Sequence, residues 1–105
     1  MAVRSATIIA IVKPKPLYGW DEAKRTLNVA KHKVDFAAAE DFDWLHAVIE
    51  VDDREHYGEL RERAIGWIGE RLHVLIFTRR DDLIWIISLR KAEKSDARRY
   101  VKKSK

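Results

Sequence analysis

The chain has 105 residues, a mass of 12.3 kDa and a formal net charge of +4, with 47% apolar residues, 36% charged residues and four Trp. A chain of this size and composition forms one domain with a packed core, which excludes two independent domains and intrinsic disorder. It contains no Cys, so disulfides and thiolate metal sites are excluded and a cytoplasmic location is expected.

The positive charge is concentrated near the C-terminal end. Residues 90–105 contain eight Lys or Arg and two acidic residues, whereas the other 89 residues contain 13 basic and 15 acidic residues. Localised positive charge indicates an anionic partner such as nucleic acid. A solvated basic tail is an equally good explanation of the charge alone.

The first 17 residues form a separate segment. "KPKP" at residues 13–16 interrupts any regular element. The apolar "ATIIAIV" at residues 6–12 is too short to span a bilayer and is not followed by a cleavage site. We expect residues 1–17 to be an N-terminal extension and residues 18–105 to be a single domain without a membrane segment.

A short strand and a helix are predicted next. "LYGW" at residues 17–20 is typical of a first strand, and Asp21 can cap a helix over "EAKRTLNVAKH". Three apolar residues at helical spacing predict the buried side of this helix, namely Ala23, Leu27 and Ala30. Asp35 can cap a second short helix, "FAAAEDF". Its candidate core residues are Phe36, Ala39 and Phe42.

From residue 44 the apolar pattern changes to a period of two, which predicts strands. The predicted strands are residues 44–51, 62–69, 72–78 and 83–89. Their short connections require antiparallel pairing. Residues 92–103 then predict a short basic helix, with Ser95 as its N-cap. The predicted class is α+β, with two N-terminal helices packed on a four- to five-stranded antiparallel sheet and a short C-terminal helix.

Strict alternation along the last hairpin assigns its residues to two faces. The predicted polar face carries His73, Leu75, Phe77 and Arg79 with Ile84, Ile86, Ser88 and Arg90. The predicted helix-packing face carries Leu72, Val74, Ile76, Thr78, Leu83, Trp85, Ile87 and Leu89. A phosphate backbone is expected to bind on the polar face.

Cleavage of RNA gives these residue types a use. When a 2′-hydroxyl attacks the adjacent phosphate, the enzyme must hold the bond in line, neutralise charge on the phosphoryl oxygens and move two protons. The planar guanidinium of Arg79 or Arg90 suits charge neutralisation. Lys91, His73 and His32 are candidates for proton transfer. The four His lack zinc-site spacing and no glycine-rich phosphate loop is present, so neither a metal enzyme nor a nucleotide hydrolase is expected.

Each candidate also has a structural interpretation. Arg79 and Arg80 at a hairpin tip often serve only solubility. His32 near a helix end more often caps carbonyls, and His73 on a half-buried strand is more often structural than catalytic. The hydroxyl of Tyr100 can equally face a phosphate or pack against the sheet.

Three longer stretches resemble a known family. They are "WDEAKRTLNVAKHKVDF", "DDREHYGELRERAIGWIG" and "VLIFTRRDDLIWIISLRKAEKSDARRY", at residues 20–36, 52–69 and 74–100, and the resemblance covers about residues 18–100. They are similar to the BrnT-type ribonuclease toxins of type II toxin-antitoxin systems. The resemblance implies a RelE-like fold, a metal-independent endoribonuclease without a cofactor, and inhibition of translation.

The resemblance also implies partners. A BrnA-like antitoxin is expected to cover the toxin in a 2:2 hetero-oligomer and to bind operator DNA through its own ribbon-helix-helix segment. Its acidic segment is expected to approach the basic surface of the toxin. The substrate is expected to be single-stranded RNA.

Functional residues follow from the matched motifs. The catalytic residues implied are Arg63, Arg80, Arg90 and Lys91. The RNA-binding residues implied are Arg79, Ser88, Arg98, Arg99 and Tyr100. His32 and His73 are left open, and no metal ligand is implied.

The sequence departs from the family pattern at two turn positions. Lys33 stands where the family has Gly at a helix end with positive φ, so this turn is either strained or differently built. Asp81 replaces a frequent Gly in the hairpin turn, which Asp tolerates.

Two alternatives to the enzyme stay open. A non-catalytic nucleic-acid-binding or regulatory module would use the same basic face for phosphate contacts and would bind without cleavage. A degenerate toxin would bind antitoxin tightly without arresting growth.

Overall fold

The structure, a computed structural model, describes residues 16–56 and 58–104. Its elements are β1 (Leu17–Gly19), helix α1 (Glu22–His32), a 3₁₀ helix (Phe36–Asp41), β2 (Val48–Val51), β3 (Glu62–Ile68), β4 (Arg71–Arg80), β5 (Leu83–Lys91) and helix α2 (Lys94–Lys103). Of the predicted N-terminal extension, residues 1–15 lie outside the described residues, and Leu17 already belongs to β1. Neither helix in the described ranges is long and apolar enough to cross a bilayer.

The five strands form one mixed sheet in the order β1-β5-β4-β3-β2. The pairs formed by β2, β3, β4 and β5 are antiparallel, as their short connections require. The prediction of a wholly antiparallel sheet is wrong, because β1 pairs with β5 in parallel. These two strands are separated by most of the chain, so the argument from short connections does not constrain them.

Helix α1 begins where its cap chemistry predicts, because the Asp21 carboxylate accepts from the Ala23 amide at 2.8 Å. Its predicted buried side is wrong, since Leu27 is 68% exposed and Asn28 is buried instead. The reason is that α1 lies against the edge of β5, where the Asn28 side chain bonds to the backbone of Leu89. A sheet edge offers polar backbone groups, which an amide can satisfy and an alkyl group cannot.

The second predicted helix is a single 3₁₀ segment of six residues. Asp35 caps it by accepting from the Ala37 amide at 2.9 Å, as predicted. Its three candidate core residues, Phe36, Ala39 and Phe42, are buried. The segment is held at both ends, because Asp35 bonds to Arg25 and Phe42 bridges to the end of β3.

Two further boundaries differ from the prediction. β2 begins at Val48, and Trp44 lies in the preceding loop, where its indole N–H donates to the Tyr18 hydroxyl at 2.7 Å. Helix α2 is capped by Glu93 and not by Ser95, because Asp96 accepts from the Glu93 amide in a capping box.

A β-bulge in β5 changes the faces of the last hairpin. Ile76 pairs with Ser88, but the next residue, Phe77, pairs with Ile86, so Ile87 is an extra residue on β5. The predicted faces are therefore wrong beyond the bulge. Residues that pair across two strands point to the same side of a sheet. Ser88 therefore shares the face of Ile76 and not that of Phe77, and the residues after Ser88 change face in the same way.

The sheet has an apolar cluster on each side. On the first face, Leu75, Phe77, Ile86 and Leu89 pack against buried residues between Val34 and Phe42. On the second face, Ile65, Val74 and Ile76 pack against partly buried Leu72, Ile87, Ala92 and Tyr100. Helix α2 therefore covers part of the second face, and the 3₁₀ segment covers the first. The RelE-like assignment of this arrangement stays a prediction.

Candidate active site

A row of side chains crosses the second face of the sheet. The strand registers align Glu50, Arg63, Ile76 and Ser88 across β2, β3, β4 and β5. Arg90 lies on the same side, because it pairs with Val74. Arg63 and Ser88 are two strands apart, or about 10 Å. The sheet thus brings Arg63, Ser88 and Arg90 together, as the family motifs imply.

Glu50 binds three cations at the β2 end of this row. Its carboxylate lies 3.1 Å from Arg63 Nε, 2.6 Å from Arg99 Nε and 2.9 Å from Lys103 Nζ. Burial raises the pKa of Glu50, but hydrogen bonds from these three cations bring it below its usual value. Glu50 is therefore ionised at neutral pH and fixes the side chain of Arg63.

Asp96 has the corresponding function for Arg90. Its two carboxylate oxygens accept from the Arg90 guanidinium at 2.7 and 3.3 Å, and one also accepts from the Glu93 amide at 2.8 Å. Burial raises the pKa of Asp96, but the hydrogen bonds from Arg90 and the Glu93 amide, with a contribution from Arg63, lower it overall. The start of α2 therefore orients Arg90.

A cleft of about 220 Å³ lies between α1 and β5, at the Ser88 end of the row. It is lined by Lys24, Leu27, Asn28, Lys31, His32, Ile87 and Ser88. The cleft thus combines a hydroxyl, an imidazole and two ammonium groups.

His32 faces this cleft without a hydrogen-bond partner among the described residues. Burial, with the nearby charges of Lys31 and Arg90, lowers its pKa below the usual value, so the imidazole is neutral at pH 7. The end of α1 is instead capped by Lys33, whose amide donates to Val29 O at 2.9 Å and whose Nζ donates to Ala30 O at 3.0 Å. The structure therefore gives no support to the capping interpretation of His32.

Three of the predicted residues lie on the first face, away from the row. His73 pairs with Lys91 across β4 and β5, and Arg79 shares their side of β4. His73 is buried, and its Nδ1 donates to Arg71 O at 2.9 Å. Arg79 bonds to Glu62 at 2.6 Å. The bulge explains the separation of Arg79 from Arg90, whereas Lys91 and Arg90 are adjacent in β5 and so point to opposite faces.

Arg80 lies on the second face but near the hairpin tip. It is four residues from Ile76 along β4, or about 13 Å from the row. Its guanidinium stacks on the Trp85 ring at 4.4 Å and lies 3.7 Å from Glu59. The structure therefore does not bring Arg80 to Arg90.

The three candidates on α2 have different environments. Arg99 reaches Glu50 and so borders the row. The Tyr100 hydroxyl donates to His46 O at 2.9 Å, and its ring packs edge-on against Trp67. Arg98 is exposed on the outer side of the helix.

Sequence reasoning missed four residues of this region: Glu50, Asp96, Lys24 and Lys31. One signal was available, because Lys24, Asn28 and Lys31 recur at i, i+4 and i+7 and so share one side of α1. Glu50 carries no such signal, since it contacts Arg99 49 residues away. Asp96 lies three residues after Glu93, which is the spacing of a capping box. Within the described ranges, no group of three or more His, Asp or Glu is arranged to bind a metal ion.

Comparison with known proteins assigns the chain to a family. The family described as ribonuclease toxin, BrnT, of type II toxin-antitoxin systems matches residues 20–96. The chain is similar to the crystal structure of the ribonuclease toxin BrnT of Brucella abortus, with 34% identity, a TM-score of 0.58 and coverage of 75% of this chain and 99% of that chain. No curated protein matches the chain. The chain therefore belongs to the BrnT family of ribonuclease toxins of type II toxin-antitoxin systems.

Proposed function

We propose that the chain is a metal-independent endoribonuclease that cleaves single-stranded RNA by 2′-hydroxyl attack and so inhibits translation. Family membership supports the ribonuclease activity. The proposed mechanism is based on the row of side chains that contains Arg63, Ser88 and Arg90. Ser88 also lines the cleft that contains His32.

Arg90 is the group proposed to bind the reacting phosphate. Its side chain is 26% exposed, whereas that of Arg63 is 13% exposed. Asp96 bonds to the two terminal nitrogens of Arg90, so the Nε–H remains for a phosphoryl oxygen. Arg63, which is more buried, adds positive electrostatic potential at the same phosphate. A fixed, partly buried guanidinium stabilises developing phosphoryl charge better than a mobile one.

His32 is the group proposed to accept the proton of the 2′-hydroxyl. A neutral imidazole can act as a base at pH 7. As the 2′-oxygen bonds to phosphorus, the bond to the 5′-oxygen breaks and this oxygen takes a proton from solvent. The products carry a 2′,3′-cyclic phosphate and a 5′-hydroxyl. Ser88 orients the phosphate, and Lys24 and Lys31 bind the phosphates of neighbouring nucleotides.

The partner is proposed to be a BrnA-like antitoxin in a 2:2 complex, with operator DNA bound through the antitoxin. A type II system implies an antitoxin. The BrnA type, the stoichiometry and the DNA contact are supported by the family resemblance. Size measurement of the purified complex by light scattering tests the stoichiometry.

The phosphate-binding function of Arg90 is tested by Arg90→Lys. This variant keeps a cation beside Asp96, which protects the fold, but it loses the planar fork. We expect the cleavage rate of a labelled single-stranded RNA to fall at least tenfold. Arg71→Lys, an exposed Arg at the start of β4 on the first face of the sheet, should cleave like the wild type. Equal rates for the two variants would remove Arg90 from the site.

The base function of His32 is tested by His32→Gln. Loss of a general base lowers rates by about 10²- to 10⁴-fold. Because the pKa of His32 is lowered, the wild-type rate should stay high at pH 6.5 and fall only in more acidic buffer. His46→Gln, on an exposed loop, serves as the control. A variant with wild-type rate and pH profile would show that another group takes the proton.

A further inference from the structure

Helix α2 has two sides with different environments. Its inner side is held to the sheet, because Asp96 bonds to Arg90 and both Arg99 and Lys103 bond to Glu50. Its outer side carries Lys94, Ala97, Arg98, Val101 and Lys102. These five residues define the outer face of α2. None of them contributes to the active-site row.

The outer face of α2 has an apolar centre. Ala97 and Val101 are neighbours at i and i+4, and Val101 is 55% exposed. Together with Arg98 and Lys102 they line an open groove of about 480 Å³. Because α2 is already packed against the sheet on its other side, these two side chains remain available for contact with another chain.

The cations around this stripe differ from those of the sheet. Arg63, Arg79 and Arg90 each lie within ion-pair distance of a carboxylate. In the part of the chain that the structure describes, Lys94, Arg98 and Lys102 have no such carboxylate. The outer face is therefore an apolar stripe bordered by uncompensated positive charge.

We propose that the outer face of α2 is the docking surface for an acidic amphipathic segment of the antitoxin, an inference that rests on the proposed function. Apolar side chains of the segment cover Ala97 and Val101, and flanking carboxylates pair with Lys94, Arg98 and Lys102. A second copy of this chain is a poorer occupant, because a two-fold contact would place the cations against each other.

RNA is also a poorer occupant of this face. Non-specific binding of single-stranded RNA combines cations with aromatic side chains on which bases stack. The outer face offers only the methyl groups of Ala97 and Val101 between its cations. An apolar stripe of this kind contributes to binding when it is covered by apolar side chains.

The test is a titration of the cognate antitoxin with the full-length toxin and the variant Val101→Glu/Lys102→Glu. The variant places acidic groups against the proposed acidic segment, so its Kd should rise at least tenfold. Val51→Glu makes the same Val→Glu change at a valine that is 53% exposed on β2 and should bind like the wild type. Lys94→Glu/Lys102→Glu, which alters only exposed Lys residues, provides a second variant if the first does not fold.

RNA cleavage is measured on the same preparations to separate the two proposals. A raised Kd with unchanged cleavage supports antitoxin docking on the outer face. An unchanged Kd overturns it, and reduced cleavage with an unchanged Kd would assign the surface to RNA instead. If the wild type cleaves no RNA, the proposed function fails, but the antitoxin titration still decides the docking proposal.

Discussion

Lys33 occupies a backbone conformation that favours glycine. It follows α1 with φ 62° and ψ 27°, in the left-handed region. A Cβ in this region costs about 1–2 kcal/mol. The lysine partly offsets that cost through the bond from Nζ to Ala30 O. The helix therefore ends with the positive φ that the family pattern implies, and the strain lies in the backbone of Lys33.

We expect Lys33→Gly to raise the free energy of unfolding by about 1 kcal/mol, because it relieves the strain at positive φ. Urea denaturation at pH 7 measures the change. Lys31→Gly, inside the same helix, should instead lower the free energy of unfolding by about 1 kcal/mol. A destabilised Lys33→Gly variant would mean that the side-chain bond outweighs the strain.

Asn28 connects α1 to the sheet through three hydrogen bonds. Its Nδ2 donates to Val34 O at 2.9 Å and to Leu89 O at 2.7 Å, and its Oδ1 accepts from the Leu89 amide at 3.3 Å. The side chain is 7% exposed, so water cannot replace these bonds. The Asn28 side chain thus bonds to the same edge of β5 that β1 pairs with, but further along the strand, at Leu89.

Asn28→Asp should lower the free energy of unfolding by about 2–4 kcal/mol, because a carboxylate oxygen would face two carbonyl oxygens in a buried position. Thermal unfolding followed by circular dichroism measures the effect. Asn→Asp substitution is chemically small, so a change below about 0.5 kcal/mol would contradict the predicted function of the amide.

At the scale of the elements, α2 depends on its carboxylate cap. Asp96 is 8% exposed and bonds to both Arg90 and the Glu93 amide. Asp96→Asn should therefore destabilise the protein by about 1–3 kcal/mol and also slow RNA cleavage, since Arg90 loses its orientation. Glu93→Gln, whose side chain is 80% exposed, should change neither quantity by much. Unchanged cleavage by a folded Asp96→Asn variant would mean that Arg90 does not need this orientation.

Local chemistry explains which elements could be predicted from the sequence. Asp21 and Asp35 mark helix starts, and the alternation in β3, β4 and β5 gives their bounds to within two or three residues. Non-local contacts explain the errors. The bulge at Ile87, the parallel pairing of β1 and the burial of Asn28 each depend on contacts with another element, which the local pattern does not specify.

Part of the candidate site could also be predicted, because some of its residues belong to local sequence motifs. Arg63, Ser88 and Arg90 were implied by motifs and lie together on the second face. Lys91 was implied as a catalytic residue by the same motif as Ser88 and Arg90, and it directly follows Arg90 in β5. Adjacent residues of a strand point to opposite faces, so the structure separates them.

At the scale of the whole molecule, two His residues make stability depend on pH. Burial and neighbouring cations lower the pKa of His73, and similar causes lower that of His32. In the unfolded chain both titrate near about 6.5. Below that pH the unfolded state binds more protons than the folded state, so the free energy of unfolding falls as the pH is lowered.

This pH dependence is predicted to begin near pH 6.5 and to depend on His73. Urea denaturation between pH 7 and pH 5 should show a smaller decrease for His73→Gln than for the wild type. A second decrease is expected below about pH 4, where Glu50, Asp52 and Asp96, whose pKa values are lowered, become protonated. Parallel curves for the two proteins between pH 7 and pH 5 would contradict the assignment to His73.

The activity that we propose is metal-independent cleavage of RNA by its own 2′-hydroxyl. It is tested most directly by a time course with purified toxin, EDTA and two labelled oligonucleotides, one all-ribose and one with 2′-deoxyribose throughout. We predict cleavage of the first alone, with 2′,3′-cyclic phosphate ends. Intact RNA with a folded toxin, or cleavage of both oligonucleotides, would contradict the mechanism.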